Sequence, residues 1–344
     1  MGNLLTLDTQ FAEALWPMVM QMSRTEQCSD DQWLAIEKQS SLGPVLQNAR
    51  VDEEDGRSLS LMEWRSIWEA AAGICRTPVV AGRRQEYALT NAWFAVQHAD
   101  VIHELLLNLN TRVADAALHI ASTAYENLPQ GAACAEEIHL VAGTASGGFT
   151  DETGVYVDVA VLAALGANPD LTEQFLSHEL WHSGHWSLIE RHHHVNEPWF
   201  MPLAQLQSEG LVNCLIGGTY ELYAYKAKTG QEDEKERAFR FLAYADSMET
   251  EASQRIGELY SAIARLLEGD QTTYLEFSQA LPDAPGYLHG RHMARVIDKA
   301  LGRESLLATC PDPVRFLTTY SEACERLGLK PPSEEVCAML ARIS

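Results

Sequence analysis

The stretch "FLSHELWHSGHW", residues 175–186, contains three histidines, a glutamate and two tryptophans within little more than three helical turns. Its residues 178–182, "HELWH", form an HExxH pattern. Residues four apart on a helix share one face, with β-carbons about 5–6 Å apart, so His178 and His182 are spaced to bind one metal ion. Glu179 follows the first histidine directly and therefore lies beside such an ion, where a general base for water is needed. The stretch predicts a zinc site with two histidine ligands and Glu179 as the base.

The residues before the motif predict the helix that the motif needs. Pro169 precedes Asp170, and Glu173 follows three residues later, which is the D-x-x-E arrangement of a capping box at a helix N-terminus. A helix that starts at this capping box begins about two turns before His178. The alternative interpretation is an ordinary buried helix whose histidines only take part in hydrogen bonds.

A catalytic zinc ion normally has three protein ligands, so the motif needs one more. The metzincin pattern requires Gly at 185 and His at 188, but the chain has His185 and Leu188. Glu209 is the preferred third ligand, because it places a carboxylate on an otherwise apolar helical stripe in "LAQLQSEGLVNCLIGG". Asn213, one turn on, is predicted to hydrogen-bond a ligand. The alternative third ligands are His185, Glu190, His192, His193, His194, Glu197 and Glu221.

Composition limits the partners and the compartment. The formal net charge of -23 disfavours nucleic acid and anionic membrane surfaces, and favours a cationic partner, although solubility alone also explains it. No apolar run reaches membrane-spanning length, and "MGNLLTLDTQF" lacks the features of a secretory signal. Seven cysteines without a CxxC pair indicate a reducing cytoplasm and a metal held by histidine and carboxylate. We therefore expect a cytoplasmic protein.

The hydrophobic pattern predicts a mainly α fold with a small β-sheet, an α+β protein. "EIHLVAG" and "GVYVDVAVL" are predicted strands joined by the loop "TASGGFTDET", and helical spacing dominates before and after them. We expect an N-terminal helical region over 1–130, a metal-binding core over 131–230, and a C-terminal helical region over 231–344 that completes the active-site cleft.

Three segments carry a family resemblance: "SHELWH", "SEGLVN" and "PGYLHGRHMARVID". The chain resembles the gluzincin zinc metallopeptidases, and among them the bacterial families of predicted zinc-dependent proteases, over about residues 138 to 320. The third segment is similar to their Y-x-x-G-x-x-M-A-x-x-I pattern. The resemblance implies a zincin-like core, with zinc held by His178, His182 and Glu209. It also implies that "IHLVAG" or its neighbouring strand pairs with an extended peptide.

The same resemblance implies a residue that stabilises the oxyanion, for which "GYLHGRH" offers candidates. Tyr287 is the first choice because its phenol donates a hydrogen bond without carrying a charge, and His289 is the second. The alternative is that Tyr287 is an aromatic residue packed in the core. The spacing from His182 to Glu209 is longer than in thermolysin-type enzymes, and Asn213 replaces an Asp common there. These departures, together with the lack of a secretory signal, favour a selective intracellular task.

The sequence therefore predicts a zinc-dependent metallopeptidase in which Glu179 accepts a proton from water and passes it to the leaving amine. Its substrate would be a peptide or a small amide. One alternative is a metal-dependent hydrolase or biosynthetic enzyme acting on a small-molecule amide or ester with the same scaffold. The other is a non-catalytic helical binding protein with a structural metal. The oligomeric state stays open.

Overall fold

The computed structural model describes residues 5–50, 57–75, 82–166, 168–229, 232–270 and 286–343. The predicted mainly α fold with a small β-sheet is confirmed, because the described part of the chain is 69% helical and contains one four-stranded sheet. None of the described helices is long and apolar enough to cross a membrane. The chain divides into two compact units, one of Met1–Ser122 with Ala135–Leu180 and one of Thr123–Cys134 with Trp181–Ser344. The predicted regional boundaries at 130 and 230 stay a prediction.

The described residues of the first unit contain the sheet, eight helices and the first part of a ninth. Its strands are β1 Thr6–Asp8, β2 Glu137–Val141, β3 Gly148–Asp151 and β4 Gly154–Asp158. Its helices are α1 Gln10–Met22, α2 Asp30–Glu37, α3 Leu42–Asn48, α4 Leu61–Ala71, α5 Arg83–Gln97, α6 Ala99–Thr111, α7 Val113–Glu126 (whose last turn belongs to the second unit) and α8 Val159–Ala164.

The strands follow the order β1-β2-β4-β3, so β2 and β4 are central and β1 and β3 form the edges. β1 and β4 run parallel to β2, whereas β3 runs antiparallel to β4. The predicted strand "GVYVDVAVL" is too long, because Asp158 ends β4 and caps α8 by accepting a hydrogen bond from the Ala160 amide at 2.9 Å. The predicted loop "TASGGFTDET" contains β3.

Side chains from the N-terminal helices fix the loop that leads into β3. Trp64 Nε1 donates to the Gly143 carbonyl at 3.0 Å, and the Ala145 amide donates to Asn48 Oδ1 at 2.8 Å. Asn91 Nδ2 donates to the Thr144 carbonyl at 2.9 Å. Loop backbone groups away from water need such partners. The N-terminal helices therefore determine where β3 begins.

Asp158 holds the same loop from the sheet side. Its Oδ2 accepts hydrogen bonds from the amide and the hydroxyl of Thr144, both at 2.9 Å. The side chain is fully buried, and this burial raises the pKa of its carboxyl from 3.8 to about 6.

This raised pKa predicts a pH-dependent stability. The folded chain binds a proton at Asp158 more tightly than the unfolded chain, so this contribution to stability is complete below about pH 4 and is lost as pH rises through about 6. The difference is at most about 3 kcal/mol. Asp158→Asn cannot ionise, so we expect it to lack this fall in the free energy of unfolding, measured by urea titration from pH 4 to 7. Parallel pH profiles for the two proteins would contradict this.

Helix α9, Pro169–Ile189, carries the HExxH motif, and its residues up to Leu180 belong to the first unit. The predicted capping box is wrong. Asn168 caps this helix, since its Oδ1 accepts the amides of Asp170 at 2.9 Å and Leu171 at 3.2 Å, with Pro169 at the first helical position. Glu173 instead forms ion pairs with Arg112 and His119.

The described residues of the second unit form helices and connecting turns, without a strand. This unit contains α10 Phe200–Leu215, α11 Thr219–Thr229, α12 Glu232–Leu267, a π-helix Gly286–Gly290, α13 Arg291–Leu301, α14 Arg303–Leu307, α15 Pro313–Leu327 and α16 Glu334–Ile343. Gly217 and Gly218 separate α10 from α11, with φ angles of 88° and 109° that favour glycine.

Helix α10 packs against the π-helix at a contact between two glycines. A β-carbon on Gly290 would lie 2.8 Å from the Cα of Gly210, and one on Gly210 would overlap the backbone of Gly290. Glycine is unfavourable in a helix interior, so its presence here is explained by the close approach of two backbones. This contact fixes the part of α10 that follows Glu209.

Candidate metal centre

Helix α9 presents His178 and His182 on one face, one turn apart. Leu180 and Trp181, between them, are fully buried and anchor the rest of the helix. His178 is only 3% exposed, and its ring stacks on that of Phe175 with centroids 5.8 Å apart. The imidazole of His178 is therefore held by packing rather than left free at a surface.

Glu209 and Ser208, neighbours on α10, contact the two ring nitrogens of His182. Ser208 Oγ lies 2.9 Å from Nδ1, and Glu209 Oε2 lies 3.8 Å from Nε2. When the hydroxyl accepts the Nδ1 proton, Nε2 is left with a free lone pair. The 3.8 Å separation exceeds a hydrogen bond but is near the roughly 3.3 Å expected for two ligands of one tetrahedral ion.

The structure brings all three predicted metal ligands together. One ligand atom each from His178, His182 and Glu209 lie within 4.8 Å of one another. Two imidazole nitrogens and one carboxylate oxygen form the donor set that catalytic zinc takes, with a fourth position left for another ligand. The side chains of His182 and Glu209 are 12% and 21% exposed, so solvent reaches the group although most of its surface is covered. The residues present fit a zinc ion.

The alternative third ligands lie elsewhere, and within the described residues none of them forms such a group with His178 and His182. His185 is fully buried, its ring stacks on Trp181 with centroids 5.0 Å apart, and burial lowers its pKa to about 4. His192 pairs with Asp312 at 3.8 Å, and His194 lies 3.0 Å from the carbonyl of Ile343.

Glu179 lies against the first residue of β3. A β-carbon on Gly148 would overlap the Glu179 carboxyl group and lie 2.8 Å from its Cγ, so the glycine makes room for this side chain. Burial raises the pKa of the Glu179 carboxyl to about 8. A carboxyl with a pKa in this range can take up and release a proton near neutral pH.

The strand beside Glu179 is not the one that was predicted. The expectation that "IHLVAG" or its neighbour pairs with a substrate is wrong, because β2 and β4 each have strands on both sides. Among the described strands β3 pairs with β4 alone, and its four residues are half-buried to exposed. An edge strand presents backbone donors and acceptors that a further strand can use.

The predicted oxyanion residues lie on the π-helix that packs against α10. Tyr287 is half-buried, and its ring meets Phe241 edge-on with centroids 6.5 Å apart. His289 is fully buried. π-Helices are rare and often occur at functional sites. The roles assigned to the two residues stay predictions.

One partner of His182 was not predicted from the sequence. This is Ser208, whose hydroxyl lies 2.9 Å from Nδ1 of His182. Asn213, predicted to hydrogen-bond a ligand, donates from Nδ2 to the backbone carbonyl of the predicted ligand Glu209 at 2.9 Å. The sequence signal for Ser208 is its place directly before the ligand glutamate on the same helix.

Comparison with known protein families identifies the family of this chain. The model of the family described as "Putative zinc dependent peptidase (DUF5700)" matches residues 60–328. The chain belongs to this family. No curated protein and no solved structure matches it.

The DUF5700 match covers the HExxH helix, Glu209 and the π-helix, and it begins well before residue 138, where the sequence resemblance began. It includes α4 and α5, whose Trp64 and Asn91 hold the loop before β3. Membership of DUF5700 supports the predicted resemblance to zinc peptidases, whereas the gluzincin type stays a prediction.

Proposed function

We propose that the chain is a zinc-dependent metallopeptidase with a zincin-like, gluzincin-type site, in which His178, His182 and Glu209 hold the zinc ion. The observation that supports this most is that ligand atoms of the HExxH histidines and of a glutamate 27 positions later in the sequence lie within 4.8 Å of one another. The description of its family as zinc-dependent peptidases agrees with this donor set.

Zinc supplies Lewis-acid chemistry, since it polarises a carbonyl and makes a water more acidic. Glu179 accepts the proton of the attacking water and transfers it to the leaving amine nitrogen. Gly148 keeps the carboxyl in place, and His178 and His182 keep their orientation through Phe175 and Ser208. Tyr287 is proposed to donate a hydrogen bond to the developing oxyanion, with His289 as the second candidate.

The proposed substrate is an extended peptide that adds to the sheet along β3. Peptides commonly bind by adding a strand to an exposed sheet edge, and β3 starts at the residue that touches Glu179. The acidic net charge of -23 favours a cationic peptide. All seven cysteines are free thiols, which supports the proposed cytoplasmic compartment.

Gly148→Ala tests the position of the proposed base. The new methyl group would displace the Glu179 carboxyl, which is the end of a flexible side chain, so the fold and the zinc should survive. A misplacement of about 1 Å lowers catalysis about 100-fold, and we expect that loss in kcat/KM. Gly43→Ala is the control, because a β-carbon there meets nothing within 4 Å. Full activity in Gly148→Ala would contradict the placement.

Ser208→Ala tests the partner of His182. Removing the hydroxyl leaves Nδ1 without the 2.9 Å contact that orients the ring. Changing such a partner typically lowers metal affinity 10- to 100-fold, and we expect this range in a zinc competition titration. Ser208→Thr keeps the hydroxyl and should restore much of the affinity. An affinity unchanged in Ser208→Ala would show that the hydroxyl has no role in ligand orientation.

The function itself is tested by assaying the zinc-loaded chain against libraries of peptides, with a chelator control and zinc re-addition. We expect cleavage of peptide bonds that the chelator stops and zinc restores. Hydrolysis confined to small amides or esters would favour a hydrolase or biosynthetic enzyme for small molecules. Zinc binding without any turnover would favour a structural metal in a binding protein.

A further inference from the structure

A second group of metal-binding side chains lies on the sheet of the first unit. Glu137 and His139 are two positions apart on β2, so both point to the same face. Asp8 on β1 is the direct cross-strand partner of His139. The strand period and the parallel register therefore bring two carboxylates and an imidazole together, and their ligand atoms lie within 4.8 Å of one another.

His139 is fixed in this position by three of its neighbours. Its Nδ1 lies 2.9 Å from Asp8 Oδ2, and its ring stacks on Tyr156 with centroids 4.7 Å apart. Gly154 leaves room for the opposite edge of the imidazole ring, because a β-carbon on this glycine would lie 3.1 Å from Nε2 of His139. The side chain of His139 is only 10% exposed, so its orientation is determined by packing.

The second ring nitrogen of His139 faces Glu137 without a hydrogen bond. Nε2 is buried, has no hydrogen-bond partner among the described residues, and lies 3.6 Å from Glu137 Oε2. A buried polar atom is normally hydrogen-bonded, so this nitrogen needs an explanation. Two ligands of one tetrahedral ion are roughly 3.3 Å apart, which is near the separation seen here.

We propose that Asp8, Glu137 and His139 form a second divalent-cation site, separate from the one on α9 and α10. Asp8 orients the imidazole through Nδ1, as carboxylates do for metal-binding histidines, and Nε2 and the Glu137 carboxylate take the ion. One imidazole and carboxylate oxygens suit zinc or manganese. The ion would join residues of β1 and β2, which are the paired strands farthest apart in the sequence.

Metal content of the full chain tests this proposal. The purified protein is stripped with a chelator, dialysed against excess zinc, freed of loose metal and measured by inductively coupled plasma mass spectrometry. We expect two equivalents of zinc in the wild type and one in Glu137→Gln, whereas in Asp8→Asn the second equivalent should bind 10- to 100-fold more weakly in a zinc competition titration. Glu136→Gln is the matched control, since this exposed residue precedes Glu137 and lies outside the group, and it should keep two.

The double variant His178→Ala, His182→Ala separates this proposal from the proposed function. We expect it to keep one equivalent, and the further change Glu137→Gln should remove that one. One equivalent in the wild type, unaffected by Glu137→Gln and Asp8→Asn, would overturn the second site and leave the peptidase site standing. If the only equivalent depends on Glu137 and not on the α9 histidines, the second site stands and the proposed function fails.

Discussion

Replacing Glu179 with glutamine is expected to lower the kcat of peptide hydrolysis about 10²- to 10⁴-fold while zinc stays bound. The amide has nearly the shape of the carboxyl and fits beside Gly148, but it cannot accept the proton of the attacking water. The two ligand histidines and Glu209 are unchanged. The measurement pairs steady-state kinetics with zinc content, so that loss of chemistry is distinguished from loss of metal.

Glu152→Gln is the control for Glu179→Gln, because Glu152 is an exposed glutamate in the turn after β3. It should keep wild-type activity. A Glu179→Gln variant that retains full activity would contradict the role of Glu179 and with it the reading of the HExxH motif as catalytic. Loss of zinc together with activity would instead show that this residue supports the fold of the site.

Gly210→Ala is expected to have the largest effect on stability. The methyl group would overlap the backbone of Gly290, and neither helix backbone can move aside as a flexible side chain can. Overpacking of this kind destabilises by about 3 kcal/mol. Glu209 precedes Gly210 on the same helix, so displacement of α10 should also weaken zinc binding by more than tenfold. Urea titration and a zinc competition assay measure the two effects.

Gly257→Ala replaces the same pair of residue types, but it is expected to stabilise the fold, whereas Gly210→Ala destabilises it. Gly257 lies inside α12, is exposed, and has nothing within 4 Å of a β-carbon. Alanine is the better helix former there, so this variant should be stabilised by about 0.5–1 kcal/mol. Equal effects of Gly210→Ala and Gly257→Ala would show that the contact with Gly290 does not matter.

The parts of the site that the sequence predicted are those carried by local patterns. The i, i+4 spacing of His178 and His182 requires only a helix, and the carboxylate of Glu209 stands out on an apolar stripe. The helix start was misassigned because Asp170 and Asn168 are both good capping residues. The choice between them depends on whether Pro169 precedes the cap or occupies the first helical position, as it does here.

The parts that the sequence did not predict depend on contacts between distant segments. β3 has four residues and begins with glycine, so its hydrophobic pattern is too short to distinguish from a loop. The pairing of Thr6–Asp8 with β2 joins positions about 130 residues apart and has no local signal. The contact of Ser208 with His182 and that of Gly210 with Gly290 likewise appear only when helices pack.

The most direct test of the central claim is X-ray diffraction from zinc-loaded crystals of the full chain, with anomalous data collected on both sides of the zinc absorption edge. The account predicts an anomalous peak within about 2.3 Å of His178, His182 and a carboxylate oxygen of Glu209. Zinc bound instead through His185 or the histidines at 192–194, or a peak that lacks Glu209, would contradict it.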